Sequence, residues 1–152
     1  MKTYSIISLL SLVICITSLI APHADAAEPK APHGGKLIPI EGGHIEVVII
    51  KDGKVTIHRY DAKLQAIEAE IDFLQLIAQT SDGAVNLEFA KQEGKGSLYQ
   101  SAQTLPEGDG YPLVLRVRLT PDSQFQNTRF VYKTYICGGC DLQEYACTCE
   151  GH

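Results

Sequence analysis

The amino-acid sequence predicts an all-β fold, an antiparallel, Ig-like β-sandwich of about seven strands. Short runs rich in β-branched residues alternate between apolar and polar side chains, as strands with one buried face do. Turn pairs such as Asp52-Gly53 and Asp82-Gly83 separate these runs, and an Asp-Gly pair between two strands is a strong hairpin signal. We therefore assign a β-sandwich domain to residues 27–134 and a Cys-rich extension to residues 135–152.

The first strands follow an extended leader. Residues 28–35 contain two prolines and two glycines, a composition that favours an extended segment over a helix. Residues 36–40 are predicted to form a short strand, and Pro39 within it favours a position at the edge of a sheet. Residues 44–51 and 54–60 lie on either side of Asp52-Gly53, and we expect them to pair as a hairpin.

Residues 61–80 fit two different structures. Leu64, Ile67 and Ile71 are at helical spacing, so local periodicity favours a helix. A strand from about Glu68 is the alternative, because it would meet the alternating run at residues 84–89 across Asp82-Gly83 in a second hairpin. We favour the strand, since it extends the pattern of the neighbouring segments.

The last strands are predicted at residues 97–99, 111–120 and 127–134. The second of these alternates most regularly, with Leu113 and Leu115 on one side and Arg116 on the other. Such alternation indicates a sheet with one buried face and one face in water.

Residues 1–26 have the three parts of a secretory signal peptide. A positive start is followed by an apolar run and by small residues near Ala24 and Ala26, which predicts cleavage after Ala26, with cleavage after Ala27 as the alternative. The apolar run is too short and too rich in Ser and Thr for a membrane span, although a retained anchor is the alternative. We therefore expect a periplasmic or secreted protein that has lost Cys15 and has no stable membrane span.

Composition excludes some classes of function. The formal net charge is -5, whereas nucleic-acid binding requires a basic surface. The mature chain of about 125 residues suits one domain with a modest core. No nucleophile motif and no Gly-rich phosphate loop is present, so we expect no enzyme.

The Cys-rich extension is the strongest candidate for a functional site. It contains Cys137, Cys140, Cys147 and Cys149 as one Cys-x-x-Cys pair and one Cys-x-Cys pair, and His152 is a candidate substitute for one of them. Two such pairs supply four ligands to one tetrahedral ion, and thiolate-rich sets suit Zn(II) and especially Cu(I). Gly138-Gly139 leaves the first turn unobstructed, and we expect it to supply the positive φ of a tight knuckle.

Two alternatives stay open for these cysteines. Exported proteins meet oxidants, and crossed disulfides such as Cys137–Cys149 with Cys140–Cys147 would staple a short hairpin. The protein would then be a structural or interaction module. A thiol-exchange site is the other alternative, although such a site normally begins a helix.

The histidines suggest a second metal site. His33 lies in the Gly-rich leader, and His44 and Glu46 share one face of their predicted strand. Together they form a candidate N/O-rich site. His58 is interpreted as a solvent-facing strand residue.

The order of motifs between His33 and Tyr132 is similar to that of a known family. The motifs are His33-Gly34-Gly35, Gly43-His44-Ile45-Glu46, Asp52-Gly53, Asp82-Gly83, the alternating strand that begins at Tyr111, and Arg129-Phe130-Val131-Tyr132. In this order the chain resembles small periplasmic β-sandwich proteins associated with heavy-metal efflux systems. The resemblance implies a sandwich fold, a role in heavy-metal resistance and an envelope efflux system as partner. The Cys-rich extension departs from the family's pattern.

Overall fold

Eight antiparallel β-strands make up nearly all of the regular structure of residues 29–149, the part of the chain that the computed structural model describes. The strands are β1 (Lys36–Ile40), β2 (Gly43–Ile49), β3 (Val55–Asp61), β4 (Phe73–Thr80), β5 (Gly83–Lys91), β6 (Leu98–Ser101), β7 (Pro112–Arg118) and β8 (Gln126–Val131). A single 3₁₀ turn, Glu144–Ala146, follows them in the C-terminal segment. The prediction of an all-β antiparallel fold with a Cys-rich extension is confirmed.

The eight strands form one continuous sheet in the order β1-β2-β3-β6-β5-β4-β7-β8. β5 joins the two halves, because it pairs with β4 through residues such as Leu87 and with β6 through Phe89 to Lys91. A single core cluster contains Ile38 of β1 and Phe130 of β8, which are the two end strands. The sheet therefore curves around a shared core, and the two layers of the predicted sandwich are two halves of one sheet.

The hairpin predicted around Asp52-Gly53 is present. β2 pairs with β3 from Gly43↔Asp61 to Ile49↔Val55. Gly53 has φ 76°, a left-handed conformation that glycine adopts without steric cost, and the Asp52 carboxylate accepts a hydrogen bond from the amide of Lys54. The turn residues thus set a register in which Ile45 and Val47 are fully buried.

Residues 61–80 contain a strand and no helix. The Asp61 carboxylate accepts hydrogen bonds from the amides of Lys63 and Gln65, which turns the chain. The amide of Ile67 then bonds to the carbonyl of Arg59, so the following segment runs irregularly along β3. β4 consequently begins at Phe73, later than the predicted start near Glu68.

β7 lies between β4 and β8 and has the alternation that the sequence predicts. Leu113, Leu115 and Val117 are buried. On the outer face the guanidinium groups of Arg116 and Arg118 lie 5.3 and 4.7 Å from the centre of the Phe125 ring, within the range of a cation–π contact.

Within residues 29–149 no helix has the length and apolar character needed to cross a membrane. The predicted signal peptide at residues 1–26 lies outside the described residues, as do Cys15 and His152.

Candidate metal centre

The first cysteine pair lies in a tight loop that follows β8. The amide of Cys137 donates to the carbonyl of Leu142 at 2.8 Å, and the amide of Asp141 donates to the carbonyl of Cys137 at 3.2 Å. An isolated bridge between Ile136 and Gln143 closes the base of the loop. These bonds fix Cys137 and Cys140 on one side of the loop.

The glycines in this loop act differently from the prediction. The positive φ falls on Asp141, at 58°, and neither Gly138 nor Gly139 is among the positive-φ residues of the described chain. Gly139 is needed for space instead, because a Cβ there would lie 2.9 Å from Cys149 Sγ. A Cβ on Gly138 would have no neighbour within 4 Å.

The 3₁₀ turn returns the chain to the first pair. The amide of Glu144 donates to the carbonyl of Tyr135, and the amide of Cys147 donates to the carbonyl of Glu144. The chain leaving this turn carries Cys147 and Cys149 back to the Cys137–Cys140 loop.

The four sulfur atoms converge on one point. The Sγ of Cys137 lies 3.2 Å from that of Cys147 and 3.9 Å from that of Cys149, and the Sγ atoms of Cys140 and Cys147 are 3.7 Å apart. A regular tetrahedron with Zn–S bonds of about 2.3 Å has sulfurs about 3.8 Å apart. None of the four cysteines is in a disulfide, and all four sulfurs lie within 4.8 Å of one another. The cluster is therefore compatible with one tetrahedral metal ion.

Backbone amides point at these sulfurs. Gly139 N lies 3.4 Å from Cys137 Sγ, and Cys149 N lies 3.3 Å from Cys147 Sγ. The amide of Leu142 lowers the pKa of the Cys140 thiol to about 7, and the amide of Gly139 lowers the pKa of Cys137. Hydrogen bonds stabilise the charged form of the group that accepts them, so the loop favours thiolates at both positions.

Crowding of the sulfurs has the opposite effect. The contacts with the sulfurs of Cys147 and Cys140 raise the pKa of Cys149 to about 12. A thiol that donates its hydrogen to a neighbouring sulfur retains its proton more strongly, and the charge of Cys137 adds to this effect. Four thiolates therefore require positive charge among them.

The Cys-rich segment is docked on the sheet rather than detached from it. Tyr145 is 5% exposed, and its hydroxyl oxygen accepts a hydrogen bond from the amide of Ile49 at 3.1 Å. Its ring lies 6.4 Å from that of Phe130 and 6.2 Å from that of Tyr132. Burying a side chain of this size stabilises the docked segment by about 1.5–3 kcal/mol.

The cluster is partly open to solvent. Cys137 is buried, whereas Cys140, Cys147 and Cys149 are partly exposed. Cys147 and Cys149 line a surface groove of about 260 Å³ together with Lys36 and Lys133. A small molecule therefore has a route to two of the sulfurs.

Two residues of the predicted second metal site are in contact, and the third is not. His33 Nδ1 lies 3.0 Å from Glu46 Oε2, whereas His44 Nδ1 faces the carbonyl oxygen of Asp61 at 3.5 Å. Among residues 29–149, the four cysteines are the one cluster of three or more His, Cys, Asp or Glu residues close enough to share an ion.

Glu46 is the centre of a buried polar network. It is 0% exposed, and its oxygens accept from the amides of His33 and Gly35 and from the hydroxyl of Tyr60. Burial alone would raise the pKa of Glu46, but these bonds and the contact with His33 Nδ1 outweigh it, and the pKa is lowered from 4.5. The carboxylate thus holds the N-terminal leader against β2 and β3.

Sequence reasoning missed the roles of His58 and Tyr60. His58 lies on the outer face of β3 as expected, but it is half-buried and its ring stacks on that of His33 at 4.1 Å. The register pairs Glu46 with His58 and His44 with Tyr60. The alternation of side chains along β2 and β3 already indicated that these four residues share one face. No short-range pattern in the sequence indicated that His33 folds back onto that face.

The fold and the cluster define a class: an all-β protein with a four-cysteine centre compatible with metal binding. No family model matches the chain, and neither a curated protein nor a solved structure shows significant similarity to it. The resemblance to periplasmic proteins of heavy-metal efflux systems stays a prediction.

Proposed function

We propose that this is an exported protein that binds one soft metal ion through Cys137, Cys140, Cys147 and Cys149 and buffers or delivers it in the cell envelope. The observation that carries the proposal is the convergence of the four sulfurs within 4.8 Å. His152, which is outside the described residues, is retained as a possible replacement ligand.

The chemistry of the donor set favours Zn(II) or Cu(I). Sulfur ligands select these ions over hard cations such as Mg²⁺ and Ca²⁺. The spacing of about 3.8 Å expected for tetrahedral zinc lies close to two of the observed distances, 3.7 and 3.9 Å, whereas the third, 3.2 Å between Cys137 and Cys147, is shorter. Zn(II) is accordingly the first ion to test, followed by Cu(I).

The shape of the site favours storage or transfer over catalysis. A catalytic zinc keeps an open coordination position for water, whereas four protein sulfurs fill a tetrahedral shell. The partial exposure of Cys147 and Cys149 in their groove suits exchange of the ion with an incoming ligand. We therefore propose no enzymatic activity.

Export and partnership are supported by the sequence alone. Residues 1–26 have the pattern of a signal peptide, and the motifs from His33 to Tyr132 resemble those of proteins associated with metal efflux. An envelope metal-efflux system is accordingly the proposed partner, and heavy-metal resistance the proposed setting. N-terminal sequencing of the protein from the envelope fraction tests export, with a mature start at Ala27 as the expected result.

One observation supports a second candidate function. The sulfurs of the two predicted crossed pairs, Cys137–Cys149 and Cys140–Cys147, lie 3.9 and 3.7 Å apart. Small movements would close both disulfides, since an S–S bond is about 2.05 Å long. The protein would then be an interaction module with a stapled C-terminal segment.

Metal and thiol analysis of the mature protein separates the two candidates. Protein made under reducing conditions is expected to carry about one equivalent of Zn(II) or Cu(I). The double variant Cys140→Ser with Cys149→Ser should lose it, while Thr148→Ser, between two of the cysteines, should retain it. The metal site would be rejected if the unmodified protein and both variants carried less than about a tenth of an equivalent of metal. Two intact disulfides in the natively exported protein would reject it as well.

A further inference from the structure

A cavity of about 180 Å³ lies beside the second half of β3 and next to the polar network around Glu46, since His33 and Tyr60, which both contact Glu46, are among its lining residues. His33 and His58 form part of its wall together with Arg59, Tyr60 and residues 66–68, and residues 95–98 complete it. None of its lining residues is a cysteine of the metal centre. The cavity is therefore independent of the function proposed above.

Two hydrogen-bond donors in this wall have no partner in the described part of the chain. These are Arg59 Nε and Ser97 Oγ, and both atoms are buried. Ser97 as a whole is 6% exposed. An unpaired buried polar group costs about 1–3 kcal/mol, and more when the group is charged, so each atom would be stabilised by an acceptor that reached it from the cavity.

The positive charge of Arg59 favours a negatively charged oxygen as that acceptor. Arg59 and Lys95 contribute two positive charges to the wall and Glu68 one negative charge, and the buried Glu46 carboxylate, which contacts His33 and Tyr60, contributes a second negative charge nearby. Glu46, behind His33, is already saturated by hydrogen bonds from His33, Gly35 and Tyr60. It therefore offers no free oxygen to the cavity donors.

We propose that the cavity is a binding site for a small oxyanion, a single carboxylate or phosphate group, with Arg59 Nε and Ser97 Oγ as its donors. Liquid water occupies about 30 Å³ per molecule, so the cavity has room for about six waters. That space accommodates one such group. Arginine and serine donors also disfavour a metal cation at this position.

The stacked rings of His33 and His58 close one side of the site. His33 Nδ1 is directed at Glu46, so its other ring nitrogen remains as a further donor or acceptor. His33 belongs to the leader, which the amides of residues 33 and 35 attach to Glu46. The leader thus contributes to the wall of the proposed site.

The proposal is tested by nuclear magnetic resonance on the mature protein, with titrations of sodium phosphate, sodium acetate and sodium chloride. We expect saturable shifts of the Gly96 and Ser97 amides and of the His58 ring with phosphate, with acetate or with both, and none with chloride. The anion that saturates the site at the lower concentration shows whether the site prefers a phosphate or a carboxylate group. Absence of saturable binding with both oxyanions would overturn the proposal.

The affinities of single-residue variants show which side chains donate hydrogen bonds to the oxyanion. Ser97→Ala should weaken oxyanion binding roughly tenfold, since a hydrogen bond to a charged group is lost. Ser81→Ala, in an exposed turn, is the matched control and should bind normally. Arg59→Lys retains the charge and removes Nε, and it should also weaken binding; circular dichroism verifies that each variant is folded. Equal affinities for Ser97→Ala and Ser81→Ala would overturn the proposal.

Discussion

The amide of Ile49 in β2 donates a hydrogen bond of 3.1 Å to the hydroxyl oxygen of Tyr145, which is 96 positions further along the chain. This bond connects the first half of the sheet to the segment that carries the four cysteines. Tyr145 directly precedes Ala146 and Cys147, so its position determines where the second cysteine pair begins. The geometry of the candidate metal centre therefore depends on the sheet beneath it.

Removal of the Tyr145 hydroxyl should destabilise the protein. In Tyr145→Phe the ring stays in the core, but the buried amide of Ile49 loses its acceptor, at a cost of about 1–3 kcal/mol. Urea unfolding measures this difference. Tyr135→Phe is the control, because Tyr135 is 55% exposed and should change the free energy of unfolding little. Equal stabilities for the two variants would contradict the role assigned to the bond.

A methyl group at Gly139 should weaken metal binding. The added Cβ would lie 2.9 Å from Cys149 Sγ, so the sulfur must move away from its three neighbours. We expect affinity for Zn(II) to fall roughly tenfold in Gly139→Ala, the scale of disturbances next to metal ligands. A competition titration against a chromogenic chelator measures the change.

Gly138→Ala provides the matched control for that experiment. Its Cβ would meet no atom within 4 Å, and its φ is not positive. Both variants lose one glycine from the same loop, so they share any effect on the flexibility of the unfolded chain. A similar loss of affinity in both would show that loop flexibility, and not the contact with Cys149, matters.

Replacement of the buried carboxylate should release the N-terminal leader. In Glu46→Gln one of the two oxygens becomes an amide group that cannot accept a hydrogen bond. Its donors are the amides of His33 and Gly35 on one oxygen and Tyr60 on the other. We expect a loss of about 1–3 kcal/mol and faster proteolysis before Gly35. Glu41→Gln, in an exposed turn, should behave as the unmodified protein.

Acid should abolish the stabilisation that the ionised Glu46 carboxylate provides. The folded-state pKa of Glu46 is lowered from 4.5, so its stabilisation is fully present above that pH and is lost as the pH falls through the lower folded-state value. Unfolding followed from pH 7 to pH 3 should show a steeper loss of stability in the unmodified protein than in Glu46→Gln. Parallel profiles would contradict the assignment of the acid response to this carboxylate.

Metal removal should loosen the C-terminal segment before it affects the sheet. The core cluster draws on strands from β1 to β8, whereas residues 137–149 are attached to it by a few backbone bonds and by Tyr145 and Ala146. The proposed metal ion would complete this attachment. We expect a chelator to expose sites near residues 138–148 to limited proteolysis, and Zn(II) to restore protection. Mass spectrometry of the fragments locates the cuts. Cleavage within β2 or β7 at the same rate would contradict this order of events.

Much of the local structure could be predicted from the sequence. The alternation of Leu113, Leu115 and Val117 indicated a strand with one buried face, because successive side chains of a strand point in opposite directions. Asp52-Gly53 indicated a hairpin, because a glycine in a tight turn adopts positive φ without steric cost. The spacing of the cysteines indicated two ligand pairs, because a Cys-x-x-Cys turn brings two sulfurs together.

Local patterns also failed at identifiable positions. Leu64, Ile67 and Ile71 have helical spacing, yet bonds from Asp61 and Arg59 hold their segment in an irregular path. The positive φ of the knuckle falls on Asp141 rather than on a glycine. In both cases hydrogen bonds to specific neighbours outweighed the residue's intrinsic preference.

The sequence by itself determined most of the strands, which of their faces are apolar and which side chains can bind a soft metal, since these properties follow from residue type and short spacing. The tertiary structure decided that β5 joins the two halves, that His33 returns to Glu46 and that Tyr145, bonded to Ile49, docks the Cys-rich segment on the sheet. These contacts join residues 13 to 96 positions apart. They form only when the whole sheet buries a common core, so no local pattern encodes them.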